Sequence, residues 1–288
     1  MVSIYIIGSI ARREGDVISD KDLLAVGSSK EVATEISRYV REGWNVSQFS
    51  RDEFEAMAAS KCLFVQHVKQ DGCAIRDDYG YLRSVMDRYE IKNSYYNELR
   101  AAITPIGNFS KIENNYWGIL FQADVMYVSV RNACILQCAS DDTPVFDFFR
   151  LVNWVCARSG LTEIERDMIL QLRPLKYAYR KRSTDINVSN IERIIEAVQK
   201  LSRYWSRLAF SISPEVDLSN GYFDVRVLER QLVSSVGPIY MDELDSGHAL
   251  SDLWSIICNP SLYDKPRRTC LPQWSVLVSD FLAERHYH

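Results

Sequence analysis

The sequence predicts an α+β protein, with a small α/β head followed by a large helical body. Three observations carry this reading. Up to about residue 80, short β-branched apolar runs alternate with segments of helical period, the pattern of a sheet dressed with helices. From about Leu82 onward nearly every segment repeats its apolar residues at helical spacing and carries few turn signals. Glycine (12) and proline (8) are sparse in 288 residues, which disfavours a turn-rich all-β architecture. The expected division is a head over 1–80 and a helical domain over 81–288.

In the head, Val2–Ile7 is an apolar run ending at Gly8-Ser9 and reads as a buried strand. Ile10–Glu14 is expected to form a short helical turn capped by Ser9, and Asp22–Val26 a second strand closed by Gly27. Ser29–Glu42 places Val32, Ala33, Ile36, Tyr39 and Val40 on one helical face before Gly43 stops it. Trp44–Phe49 is the third strand, Asp52–Ser60 is helical, and Leu63–Val68 is either extended or helical. In the body, the clearest helices are Leu82–Ile103, Tyr116–Ala139, Val145–Ser159, Thr162–Arg182 and Val188–Phe210, with a capped loop over Thr184–Asn190. Beyond Ser211 the signal weakens, and Leu250–Cys258 and Trp274–Arg285 are the best late helices.

Composition narrows the function classes. Apolar residues at 47% and charged residues at 25% are ordinary for a folded soluble domain. A net charge of −4 provides no global footprint for nucleic acid, so a polyanion contact is possible only through a local patch. Seven cysteines, an odd number with no CxxC pair, are expected to be reduced, mostly buried thiols. The N-terminus lacks the basic region of a leader and room for a spanning helix, so the expectation is a cytoplasmic protein with no membrane partner.

The segment with chemistry in it runs from Gly8-Ser9 to Ser19-Asp20-Lys21-Asp22-Leu23. Acids at i and i+2 of a strand point to one face. Two carboxylates so placed are costly to desolvate unless a cation sits between them. Mg²⁺ or Mn²⁺ takes oxygen ligands, usually one or two carboxylates and substrate phosphates. Upstream, a Gly-Ser turn opening a helix offers backbone N–H groups and a hydroxyl to an anion. A phosphate cradle beside a metal-holding pair is what phosphoryl or nucleotidyl transfer requires.

The string GSIARREGDVISDKDLLAV resembles the signature of the polymerase-β-like nucleotidyltransferase superfamily, over residues 2–26. A second stretch, Ser60–Asp77, is similar to the segment after the third core strand of minimal bacterial nucleotidyltransferases. The resemblance implies a nucleotidyltransferase palm, a mixed sheet with helices, ahead of the helical domain. It implies that Gly8 and Ser9 contact the β- and γ-phosphates of a nucleoside triphosphate, ATP being the default. It further implies that Asp20 and Asp22 ligate divalent ions, that Ser19 supports their strand, and that Arg12 lies near the triphosphate. Arg13 stands where the family often has glycine.

The family's third acid is missing: the third strand reads Trp44-Asn45-Val46, and the matching position is Asn45. Asparagine can orient a hydroxyl or a bound water, but it takes no proton at neutral pH. Asp52 and Glu53 are the nearby acids that could substitute. His67, inside an apolar segment, reads more simply as structural than as catalytic, and Asp77-Asp78 as a solvated turn. Arg173, Lys176 and Arg180 share a helix face. They form either a cationic wall for triphosphate or nucleic acid, or a solvated face favoured by the helix dipole.

The expected function is metal-dependent transfer of a nucleoside monophosphate from NTP to a hydroxyl acceptor, with release of pyrophosphate. The acceptor could be a small molecule, RNA, a protein or a nucleotide. The alternative is a nucleotide-binding regulatory or antitoxin-like module, weakly active or inactive, with Asn45 in place of the third carboxylate. A scaffold whose helical body carries an Arg-x₄₋₆-His ribonuclease pattern is disfavoured, because residues 82–247 contain no histidine.

Overall fold

A computed structural model describes residues 1–210, 221–258 and 270–286. The chain divides into two compact units. The first comprises Met1–Tyr96 with Cys134–Leu151, and the second Asn97–Ala133 with Val152–His288. The α+β expectation holds: a small mixed sheet near the N-terminus and helices elsewhere.

The first unit is built on β1 (Ser3–Ile7), α1 (Gly8–Ala11), β2 (Asp22–Val26), α2 (Ser29–Arg41), β3 (Asn45–Phe49), α3 (Arg51–Ala59), α4 (Leu63–Asp71), β4 (Cys73–Asp77) and α5 (Tyr81–Arg88). The sheet order is β3-β2-β1-β4. β1 runs antiparallel to both β2 and β4, and β2 runs parallel to β3. Strand alternation feeds two cores. Tyr5, Ile7, Leu24 and Val26 pack with Phe54, Val65, Val68, Leu82 and Val85 of α3, α4 and α5. Val2, Ile4, Leu23 and Ala25 pack with Val32 and Ile36 of α2 on the opposite face. α3 starts on a full capping box, in which Ser50 Oγ accepts from Glu53 N–H and the Glu53 carboxylate from Ser50 N–H.

Three expectations are corrected here, and the alternative left open at Leu63–Val68 is settled. α1 begins at Gly8, with Ile7 at the capping position, so Ser9 lies inside the helix and does not cap it. Leu63–Asp71 is helical, and a fourth strand follows it that the sequence did not announce. β4 is an edge strand with Cys73, Ala74, Ile75 and Arg76 exposed, so it lacks apolar alternation. Asp77 and Asp78 are not a solvated turn. Asp77 accepts from Ser3 Oγ (2.6 Å), Tyr5 Oη (2.9 Å) and the N–H groups of Leu82 and Arg83. Asp78 accepts from Val2 N–H (2.8 Å) and from Arg76.

The helices continue with α6 (Tyr96–Asn108), α7 (Tyr116–Ser140), α8 (Phe148–Ser159), α9 (Glu163–Leu170), α10 (Leu172–Arg180), α11 (Ile191–Phe210), α12 (Gly221–Val236), α13 (Pro238–Asp242), α14 (Ser251–Cys258) and α15 (Leu271–His286). Two expected single helices are each two. Leu82–Ile103 is interrupted between α5 and α6, where buried Tyr95 donates its hydroxyl to Lys61 O and accepts from Lys92 N–H. Thr162–Arg182 breaks between α9 and α10, because Pro174 lacks an N–H and its ring crowds the carbonyl of Leu170. α7 is long and apolar enough to cross a membrane by length and composition, and 67% of its most apolar window is buried inside the protein, as in a core helix. The seven cysteines are thiols. Only Cys134, Cys138 and Cys156 are buried, while Cys73 and Cys258 are exposed, so "mostly buried" is corrected too.

Candidate functional site

Strand register brings three of the sequence-selected residues to one end of the sheet. Ile7 pairs with Asp22 across β1 and β2, and Asp22 pairs with Asn45 across β2 and β3. Gly8 follows Ile7 directly. Asp22 shares strand parity with Leu24 and Val26, and Asn45 with Phe49, so both point to the face that carries α3, α4 and α5.

Gly8 is buried and has φ +75°, a conformation that costs a side-chain-bearing residue on the order of 1–3 kcal/mol. A Cβ there would lie 3.1 Å from Asp22 Oδ2. The turn therefore needs glycine twice, for its φ and for its closeness to the carboxylate. The other carboxylate oxygen is engaged on the far side, where Asn45 Nδ2 donates to Asp22 Oδ1 at 3.0 Å. Asn45 N–H also donates to Lys21 O at 2.7 Å, which ties the start of β3 to the residue before β2.

The remaining residues are placed differently. Asp20 is exposed and lies two residues before β2, outside the strand, so the period-two argument reaches Asp22 alone. Ser19 closes a turn onto Asp16: its hydroxyl donates to Asp16 Oδ1 (2.8 Å) and accepts from Asp16 N–H (3.0 Å). Ser9 is half-buried and its carbonyl accepts from Glu14 N–H. Asp52 and Glu53 open α3, and Glu53 is occupied by the capping box.

Arg12 is held by carboxylates. Its Nε donates to Glu14 (2.8 Å), one terminal nitrogen donates to Asp71 (2.7 Å), and the other lies 4.0 Å from Asp147. Burial works against its charge, and the paired carboxylates outweigh burial and hold its pKa above the ordinary value. His67 stacks on Phe146 at 4.5 Å between ring centres, with Nε2 3.5 Å from Asp71 Oδ2. That packing fits the structural reading of His67.

The basic run belongs to the second unit. Arg180 donates from two nitrogens to Asp124 of α7, at 2.9 and 2.7 Å, and Lys176 lies over the ring of Tyr127 at 5.5 Å. Asp124 also accepts from Arg226 (2.5 Å). Arg226 donates onward to Glu229, and Glu229 accepts from Tyr179 Oη (both 2.6 Å). Burial pushes the Asp124 carboxyl up, but Arg180 and Arg226 more than offset it and leave its pKa below the usual range. Glu229 stays above that range, because burial prevails over the same two guanidinium groups. Arg180 is thus the counter-ion of a buried acid, and Lys176 packs beside it. Arg226 and Glu229 lie on α12, in the stretch where periodicity had weakened. The i, i+3 Arg/Glu pair was the one signal that could have drawn attention to them.

Among the described residues, no group of three His, Cys, Asp or Glu side chains is arranged to hold a metal ion. No protein-family model matches the chain, and no curated protein sequence matches it significantly.

Proposed function

We propose that the head binds a nucleoside triphosphate where β1 ends and β2 and β3 begin, and that the protein is a nucleotidyltransferase of low turnover. The observation that carries this is the convergence of Gly8, Asp22 and Asn45, with Asp22 Oδ2 lying against the Gly8 turn. Charge on the incoming phosphates would meet the Gly8-Ser9 backbone on one side and need neutralising on the other. Asp22 Oδ2 and the nearby Asp20 are hard oxygen donors and suit one divalent cation, Mg²⁺ or Mn²⁺. When bound, that cation would offset the charge of the triphosphate. Asn45, neutral and unable to take a proton, would orient an acceptor hydroxyl without deprotonating it. Arg12 would act from behind, tying the end of the Gly8 turn to α4 through Asp71.

The second reading, a nucleotide-binding module without transfer, is favoured by the Asn45–Asp22 hydrogen bond, since an amide replaces the proton-accepting acid. Calorimetry with each NTP, with and without Mg²⁺, tests binding. Metal-dependent affinity that is lost in Asp22→Ala supports the site, and equal affinity in wild type and Asp22→Ala rejects it. Pyrophosphate release over a panel of acceptors separates the enzyme from the module.

A further inference from the structure

His67 of α4 is enclosed, its side chain 12% exposed, and its ring has two neighbours that respond to a proton. Nε2 lies 3.5 Å from Asp71 Oδ2, one helical turn on. At that separation a neutral ring gains little, because good N–H···O hydrogen bonds measure about 2.7–3.2 Å. A charged ring gains an ion pair, in a place that salt and water screen weakly. The face of the ring lies on Phe146, with centres 4.5 Å apart and planes 26° from parallel, and an aromatic face attracts a cation. Both contacts strengthen when the imidazole becomes an imidazolium.

The charges around His67 come from three elements. Asp71 faces it along α4. From the end of α1, Arg12 donates to the same Asp71 oxygen at 2.7 Å and opposes a second cation there. Glu14 accepts from Arg12 and from Arg150 of α8, and Asp147, next to Phe146, lies 4.0 Å from Arg12. Among these groups three carboxylates share two guanidinium groups, and an imidazolium would match the remaining negative charge. All of these residues belong to the first unit. We propose that His67 is a proton-operated clamp: once charged, it pairs with Asp71, grips the Phe146 ring, and fastens the segment before α8 to the Arg12 end of α1 at mildly acid pH. The packing role of His67 then varies with pH. A charged form favoured by the fold stabilises fully below the unfolded histidine pKa of about 6.5, and the stabilisation is lost as pH rises through the higher folded value.

The full chain, isotope-labelled at histidine Cε1, is titrated by NMR. The chain has four histidines, and the His67 resonance is assigned by its cross-peaks to the Phe146 ring and its absence from His67→Gln. In wild type His67 should titrate about half a unit or more above the ordinary value of about 6.5, and Asp71→Asn should bring it to about 6.5 or below. Between pH 6 and pH 8, urea unfolding should show a loss of stability in wild type that His67→Gln lacks. Hydrogen exchange, corrected for its intrinsic rate, should show protection over 148–151 falling across the same range in wild type alone. If Asp71→Asn fails to fold, Phe146→Leu, which keeps an apolar side chain but removes the ring, should lower the His67 pKa in its place. A wild-type His67 pKa at or below about 6.5 overturns the clamp. So does a pKa that neither variant moves, or a pH dependence of stability shared by wild type and folded His67→Gln.

Discussion

Arg180 grips Asp124 with two hydrogen bonds, at 2.9 and 2.7 Å, and the acid beneath it is fully buried. Charges in such a place are costly unless they are paired and hydrogen-bonded. Two acids, two arginines and a tyrosine close that account among α7, α10 and α12. Removing Asp124 leaves the Arg226 guanidinium charged and buried without that carboxylate. Asp124→Ala should cost about 3–5 kcal/mol of stability, read as a lower urea midpoint. A loss under about 1 kcal/mol would mean that the network relaxes without its central acid.

Gly8→Ala tests the turn. The added methyl would sit in a positive-φ conformation, 3.1 Å from Asp22 Oδ2. The expected cost is about 1–3 kcal/mol, together with a loss of nucleotide affinity larger than the destabilisation accounts for. Unchanged melting temperature and affinity would show that neither strain nor closeness matters there.

Acid stability should follow Asp77 and Asp78. Burial raises the Asp77 carboxyl, and donors from Ser3, Leu82, Arg83 and Tyr5 overcome that and hold it below the ordinary value. Asp78 is lowered to about 2, first by Arg76 and then by Val2 N–H. Their folded pKa values are depressed, so the stabilisation is present above the unfolded carboxylate pKa of about 3.9 and is lost as pH falls from there. Urea unfolding from pH 6 downward should show the loss begin near pH 4 and continue to about pH 2. Asp77→Asn should be less stable at pH 6 and show a shallower fall. A slope identical to wild type would exclude Asp77 as a source.

Arg12 and Asp22 should separate in a binding assay. Arg12→Ala breaks pairs with Glu14 and Asp71 and should lower the melting temperature. Its effect on NTP affinity should stay under about tenfold, or 1.4 kcal/mol, because its guanidinium is already held by carboxylates. A far larger loss of affinity with unchanged melting would place Arg12 on the triphosphate.

The first three strands and most helices were legible because burial writes itself into apolar spacing. Val2–Ile7 and Asp22–Val26 are read almost to the residue, since their side chains fill cores on both faces of the sheet. β4 was not legible for the opposite reason: an exposed edge strand has no core to pattern it, and its stability comes from pairing with β1. The breaks at Tyr95 and near Pro174 needed local hydrogen bonding and ring sterics that apolar period does not record.

At the candidate site, residue types and spacing singled out Gly8 and Asp22, and the family resemblance pointed to Asn45. Their meeting was decided by register alone, when parallel pairing of β2 with β3 set Asn45 against Asp22. Charge was the least legible property. Arg12 and Arg180 are both arginines in suggestive positions, yet Asp71 and Asp124, 59 and 56 residues away in sequence, determine what each one neutralises. A sequence shows that a cation exists; only the fold brings up its counter-ion, because charges pair through space and not along the chain.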